Sequence, residues 1–142
     1  MLTKKDYCDY ETCVALVELG MRITSRKAYS DRDTLKHSSR GVTYTVRTAS
    51  AMGWVIAIPL YEAQKWLREE KGMLVDSMVF ADNSRDADGK VVDRWIYYAC
   101  AIFNTSTAEF IRDYDHSDEY ETYEEALSEG VRASIKWLKE RK

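Results

Sequence analysis

Proline, glycine and cysteine are scarce in this sequence. Its 142 residues include one proline and six glycines, so no long linker or low-complexity segment is expected. No apolar run approaches the roughly 18 residues of a membrane-spanning helix. Residues 1–11 are polar and lack the apolar stretch of a secretory signal. We therefore expect one cytoplasmic domain covering residues 1–142, with no membrane partner.

Cysteine and histidine are also too sparse to indicate chemistry. Cys8, Cys13 and Cys100 are odd in number and show no C-x-x-C spacing, which predicts reduced thiols packed like small apolar residues. A catalytic cysteine needs a histidine beside it, and only His37 and His116 are available. Phosphate-loop, dinucleotide-binding and nucleophile-elbow motifs are absent. We predict no catalytic residue, no cofactor and no enzyme activity.

Two acidic stretches contain parts of a cation site. Residues 82–89 alternate acidic side chains as a calcium loop does, but with Gly89 at loop position six, Trp95 stands where a bidentate glutamate is required. Residues 113–118 offer oxygen ligands and one imidazole, whereas a metal site needs three or four groups that converge in space. We interpret the first stretch as a solvated hairpin loop and the second as a polar linker, and predict no metal.

The clearest structural signal is a helix followed by a strand within residues 58–81. Pro59 suits the first turn of a helix, and apolar residues recur after it at helical spacing. Gly72 suits the left-handed residue that ends a helix. The pattern predicts a helix over 60–71 and a strand over 73–81.

The flanking elements are predicted from capping and from apolar alternation. Asp9 suits an N-cap, Gly20 suits a helix stop, and Thr122-x-x-Glu125 is a capping box at the start of a last helix. A run that is apolar on both faces predicts an interior strand, joined to its predecessor as an antiparallel hairpin. These patterns predict helices from 10–19 and after 122, and strands at 42–48, 52–58 and 91–103.

Residues 52–58 are either a strand, which their β-branched and aromatic residues favour, or a buried connection. The element order is therefore α-β-α-β-β-α, with one or two strands between the first two helices, which indicates the α+β class. We expect a two-layer single domain in which an antiparallel β-hairpin or small sheet is packed by three helices.

Charge is divided between two segments, although the formal net charge is only −3. Residues 22–47 carry seven basic and two acidic side chains, while residues 109–129 carry nine acidic side chains and one basic. Charge runs are usually solvated surface, and these two can also neutralise one another in the fold.

Each charged segment also suggests a partner. An acidic surface can steer a basic protein onto itself, or imitate a nucleic acid backbone. The candidate partner-binding residues are Asp113, Asp115, Asp118, Glu119, Glu121 and Glu124. A basic segment can hold the phosphates of a nucleic acid. The alternative nucleic-acid-binding residues are Arg22, Arg26, Lys27, Arg32, Lys36, Arg40 and Arg47.

Three blocks carry a resemblance to known proteins. They are the helix pattern at Asp9–Gly20, the Q-K-W-L-R-E-x-x-G stretch within Pro59–Met73, and the Y-E-E-A-L block within Tyr123–Gly130. Through them the chain resembles a group of small proteins carried by phages and mobile elements of gut bacteria. The resemblance implies no activity and no functional residues. It implies a genomic setting in which accessory proteins often act by binding a host or defence protein.

These observations favour a small accessory protein that binds another protein, and so modulates or inhibits a host or defence factor through its acidic face. The alternative is a nucleic-acid-binding accessory protein that uses residues 22–47, and an enzyme of unrecognised type comes third. Twelve per cent aromatic residues also allow self-association as a homo-oligomer.

Overall fold

The computed structural model describes residues 4–38, 41–114 and 119–141. Over these ranges the protein is α+β, as predicted, with four α-helices and three small antiparallel sheets. None of these helices is long and apolar enough to cross a membrane. The helices are α1 (Tyr10–Glu18), α2 (Val46–Ala51), α3 (Leu60–Lys71) and α4 (Tyr123–Glu140), after a 3-10 turn at Lys4–Asp6. The strands are β1 (Thr24–Ser25), β2 (Lys27–Asp31), β3 (Thr34–His37), β4 (Tyr44–Thr45), β5 (Val55–Ile56), β6 (Met73–Arg85), β7 (Val91–Asn104) and β8 (Glu109–Arg112).

The largest sheet is built on a long hairpin. Its strand order is β6-β7-β8, and β6 pairs with β7 from Met73 opposite Asn104 to Arg85 opposite Val91. The other sheets are β3-β2-β5 and the two-stranded β1-β4. Helices α3 and α4 pack on one face of the hairpin, here called the inner face.

The predicted helix starts and stops are confirmed by their hydrogen bonds. Asp9 accepts a hydrogen bond from the amide of Thr12 at 2.8 Å, which caps α1. Thr122 caps α4 by accepting from the amide of Glu125 at 3.1 Å. The predicted capping box is only half formed, because the Glu125 carboxylate accepts from the amide of Glu121 at 3.3 Å instead of that of Thr122. Gly72 has a φ of 64° and ends α3 in the left-handed conformation. These caps confirm that local capping chemistry specifies the three longer helices.

The predicted strand over 42–48 is wrong after Thr45. Only Tyr44–Thr45 is a strand, and α2 begins at Val46. Thr45 and Thr48 form a reciprocal capping box, in which each hydroxyl accepts from the other residue's amide, at 3.0 and 2.7 Å. Threonine at both positions reads as a β-former in sequence, but its hydroxyl satisfies the exposed amides of a helix start. The strand predicted at 52–58 is likewise shortened, to Val55–Ile56.

The hairpin is longer and more exposed than its sequence predicts. The expected loop over 82–90 contains strand as far as Arg85, and the turn itself occupies 86–90. Asp86 organises this turn, because its carboxylate accepts from the amides of Asp88 and Lys90 at 2.9 and 3.0 Å. The prediction that the strand over 91–103 is covered on both faces, at least in part, is confirmed for residues 97–102, which are buried or half-buried. Residues 92–96 are exposed.

Helix α4 approaches the hairpin most closely at Gly130. A Cβ added there would lie 2.6 Å from Val75 Cγ1 and 3.3 Å from Cys100 Cβ, so a larger residue leaves too little space. Leu127 and Val131 are fully buried beside it, as the apolar stripe of this helix predicts. Gly130 therefore allows the helix to lie directly on the sheet.

We expect Gly130→Ala to destabilise the fold. Alanine gains about 1 kcal/mol in helix propensity, but overpacking a filled core typically costs about 1–3 kcal/mol. The free energy of unfolding, measured in urea, should therefore fall. Val75→Ala removes the clashing methyl groups, so the double variant should lose less stability than the sum of the two single changes. Additive losses would show that the contact does not limit helix approach.

Candidate partner-binding surface

Three tyrosines from three elements form one aromatic cluster. Tyr61 on α3 stacks on Tyr123 of α4 with ring centroids 6.3 Å apart, and Tyr98 on β7 meets Tyr123 edge-on at 6.5 Å. Tyr61 is 46% exposed, and the other two are half-buried. Because each ring is held by another, the cluster presents aromatic surface with little rotamer freedom left to lose on binding.

The apolar surface continues from the cluster onto the hairpin. Val79 lies directly opposite Tyr98 in the ladder, and Ile96 lies opposite Ala81, so all four side chains share the inner face. Val79 is 53% exposed and Ile96 is 68% exposed, since α3 and α4 do not extend this far. An exposed run of this kind on a regular strand is typical of an interaction surface.

One carboxylate contacts this face, and two more flank Tyr120 at its border. Glu124, the second residue of α4, hydrogen-bonds Tyr61, and burial together with this carboxylate raises the pKa of the Tyr61 hydroxyl. Glu119 and Glu121 are exposed on the segment that leads into α4, where Tyr120 pairs with Tyr98 through two backbone hydrogen bonds. The aromatic–acidic face is defined here by these side chains: Tyr61, Tyr98, Tyr123, Val79, Ile96, Glu119, Glu121 and Glu124.

The remaining predicted acidic residues are only partly described. Asp113 is exposed after β8, while Asp115 and Asp118 lie outside the described residues. Beside Asp113, Tyr114 donates to the Asp76 carboxylate at 3.2 Å. Burial and this carboxylate raise the pKa of Tyr114 to about 12.

A cleft of about 360 Å³ opens beside the aromatic–acidic face, between the 3-10 turn, α1 and the first turns of α4. Two of its carboxylates, Asp9 and Glu129, are engaged by arginines. Arg132 contacts Asp9 at 2.9 Å and Glu129 at 3.1 Å, and Arg112 contacts Glu129 at 3.5 Å. These ion pairs join α1, α4 and β8, which indicates a structural role for Asp9 and Glu129.

The cleft also reaches the buried side chain of Cys8, which lies against Cys13. The side chain of Cys13 hydrogen-bonds that of Cys8, and this contact together with burial raises the pKa of the Cys8 thiol well above its ordinary value. Cys13 also accepts from the amide of Ile58 at 3.3 Å. Thiols in this state pack a core and are poor nucleophiles. Within the described ranges, no group of three or more histidine, cysteine, aspartate or glutamate side chains is arranged to hold a metal ion.

The predicted basic residues are distributed over several surfaces. Arg22 and Arg47 line one shallow groove between the end of α1 and α2. Arg32 pairs with Glu11 at 2.9 Å, and Lys27 lies 5.2 Å above the ring of Tyr7. Of the rest, Arg26 and Lys36 are exposed, and Arg40 lies outside the described residues.

Sequence reasoning identified the carboxylates of this surface and missed its aromatic half. Tyr61 and Tyr123 both lie in the first turn of a helix, where an aromatic residue borders the core. This position in the first turn is the sequence signal from which a surface aromatic cluster could have been predicted. Val79 and Ile96 carried no such signal, because an apolar strand residue looks the same whether or not a helix covers it.

The Asp9 carboxylate should make stability depend on pH. Its burial raises the pKa, but hydrogen bonds from Thr12 and Arg132 outweigh that effect and hold the pKa below its ordinary value. A carboxylate with a lowered folded pKa stabilises above its unfolded pKa of about 3.9. That stability is lost as pH falls through the folded value.

We expect Asp9→Ala to cost about 1–2 kcal/mol at neutral pH, mostly through the lost cap. Asp9→Asn keeps the cap and loses only the exposed ion pair, worth less than about 1 kcal/mol. Urea unfolding from about pH 5 down to about pH 2 should show the difference between wild type and Asp9→Asn disappearing. A constant difference would contradict the ionic contribution.

Comparison with protein-family models, with curated proteins and with solved structures finds no match for the chain. Two surfaces of its own therefore carry the functional proposals below: the aromatic–acidic face, and the groove that contains Arg22 and Arg47.

Proposed function

We propose that the protein works by binding another protein through the aromatic–acidic face. The observation that carries this proposal is the exposed cluster of Tyr61, Tyr98 and Tyr123, which runs without a break onto Val79 and Ile96. Tyrosine is enriched among the residues that dominate binding energy at interfaces, because it adds apolar area and a hydroxyl at small entropic cost. The ring of Tyr123 packs against those of Tyr61 and Tyr98, which supports a surface that already has its bound shape before the partner arrives.

The charge of the face supports a partner with basic side chains. Glu124 contacts Tyr61, and Glu119 and Glu121 flank Tyr120, which pairs with Tyr98. These exposed or half-buried carboxylates would attract lysine or arginine at the rim of an interface. The apolar centre would accept one or two large apolar side chains of the partner. The partner is thus a protein with an apolar patch inside a basic surface.

The resemblance to phage and mobile-element proteins supports a biological version of this proposal. In that setting the partner is a host or defence factor, and binding modulates or inhibits it without catalysis. Covering a basic surface would act most directly on a factor that uses this surface to hold nucleic acid.

Charge reversal on the face should abolish partner capture. We expect Glu119→Lys with Glu121→Lys to reduce capture at least tenfold from host lysate, read by mass spectrometry of tagged protein after nuclease treatment. Tyr61→Ala should reduce capture of the same protein at any salt, because the lost contact is apolar.

Glu69→Lys with Glu70→Lys on α3 is the matched control, since it makes the same change in net charge on another exposed surface. It should capture normally. Equal capture by both charge-reversed proteins, each shown to be folded by circular dichroism, would reject the aromatic–acidic face as the binding site.

Nucleic acid binding is a second candidate, supported by the groove that Arg22 and Arg47 share. Arg22 is fixed at its edge, because its guanidinium donates to the carbonyls of Val17 and Met21 at 3.1 and 2.8 Å. Arg47 is exposed, with no partner among the described residues. Two cations on one concave surface suit a phosphate backbone.

If the groove binds nucleic acid, Arg47→Glu should weaken retention on DNA or RNA at low salt and reduce the slope of log K against log salt by about 1. Arg68→Glu on α3 changes the net charge equally and should leave that slope unchanged. Fluorescence anisotropy with labelled oligonucleotides measures both. No binding by wild type at low salt would exclude this function.

A further inference from the structure

Strand β6 is the free edge of the main sheet. Its odd-numbered residues direct their backbone groups away from β7, as three contacts show. Gln64 donates to the Val75 carbonyl at 2.7 Å, and the amides of Ser77 and Asn83 donate to the preceding aspartates at 2.9 and 2.8 Å. Side chains thus occupy this edge at both of its ends.

The middle of the edge is left open. Nothing in the described part of the chain hydrogen-bonds the outward backbone groups of Val79 and Ala81. Large apolar side chains are exposed at the same place, on Met78 and Val79. Most proteins block such an edge, because unpaired strands accept further strands. Here the occupied amides are those of Ser77 and Asn83, and the open stretch between them, residues 78–82, is called the window.

We propose that this window pairs with the same window of a second copy of the chain. The two β6 strands lie antiparallel about a two-fold axis at Phe80, so that Val79 of each copy exchanges backbone hydrogen bonds with Ala81 of the other. The two three-stranded sheets become one continuous sheet. The second copy covers the side chains of Val79 and Ala81 on the inner face of the sheet, and that of Met78 on the opposite face.

Charge and the occupied amides select this register among the symmetric ones. With the axis at Phe80, Asp76 faces Ser84 of the second copy, and Asp82 faces Met78. Moving the axis to Val79 places Asp76 opposite Asp82, and moving it to Ala81 places Val79 opposite Asn83, whose amide already donates to Asp82. Like charges directly opposite one another destabilise a strand pair. Of these three registers, the one centred on Phe80 is therefore favoured, because it places no two aspartates opposite each other and pairs Val79 with Ala81, whose outward groups are both open.

The side chains at the ends of the window limit the pairing. Gln64 occupies the Val75 carbonyl, so the second strand cannot continue past this residue without displacing it. The pairing covers about residues 76–84 and leaves Tyr61, Tyr98 and Tyr123 uncovered. It also covers Val79 of the aromatic–acidic face, so the Ser84 variants of purified protein test dimerisation alone, and Tyr61→Ala tests partner capture alone.

Disulfide trapping tests the register. Phe80 faces itself across the axis as a non-hydrogen-bonded pair, for which Cα atoms lie about 4.5 Å apart, a distance that a disulfide spans. Under mild oxidation Phe80→Cys should form a disulfide-linked dimer, which a reductant converts back to monomer. The disulfide should form at least tenfold faster than in Val79→Cys, because the two residues at position 79 lie diagonally across the strand pair. The three native cysteines are buried. Equal trapping of both variants, or faster trapping of Val79→Cys, overturns the proposal.

A second measurement leaves Phe80 intact. Sedimentation equilibrium of the unmodified protein should show a monomer–dimer equilibrium. Ser84→Lys, which faces Asp76 of the second copy, should tighten the dimer at least threefold, and Ser84→Asp should weaken it as much. Asn83→Lys, on the other face of the strand, should have less effect than Ser84→Lys. A monomer at every concentration, or Ser84 variants without effect, rejects the β6 pairing.

Discussion

The seating of α4 on the β6–β7 hairpin is the contact on which the rest of the structure depends. Gly130 lets the helix backbone approach Val75 and Cys100 closely. That approach brings the first turn of α4 to the middle of the hairpin, where Tyr123 meets Tyr98 and Tyr61. The aromatic–acidic face is thus a by-product of core packing, since its rings lie where the helix layer ends.

The same packing explains why one hairpin has two different halves. Beside α3 and α4, the inner side chains Met73, Val75 and Ser77 are buried, and the sheet is stabilised by apolar burial as well as by backbone hydrogen bonds. Beyond the helices the ladder and cross-strand pairs such as Phe80 and Tyr97 stabilise the sheet, with Tyr114 packed against Phe80. Apolar residues persist in this second half, although folding alone does not require them there, and this supports a binding role.

Much of the fold could be predicted because its signals are local. Asp9, Thr122 and Gly72 determine helix ends through hydrogen bonds and dihedral angles within a few residues. Helix α2 was missed for an equally local reason, since threonine suits both a strand and the capping box at Thr45. The aromatic–acidic face was harder to predict, because exposure depends on where distant elements stop. Val79 and Ile96 would be core residues if α4 continued over them.

The turn at 86–90 lies at the end of the hairpin that is farthest in register from the helix layer. Asp86 closes it with hydrogen bonds to its own neighbours, and it makes no use of the core. Exposed turns of this kind tolerate insertions, because lengthening them exposes no apolar surface and breaks no ladder. Evolution, or a protein engineer, can therefore vary this tip freely while the sheet, the helices and the tyrosine cluster stay in place.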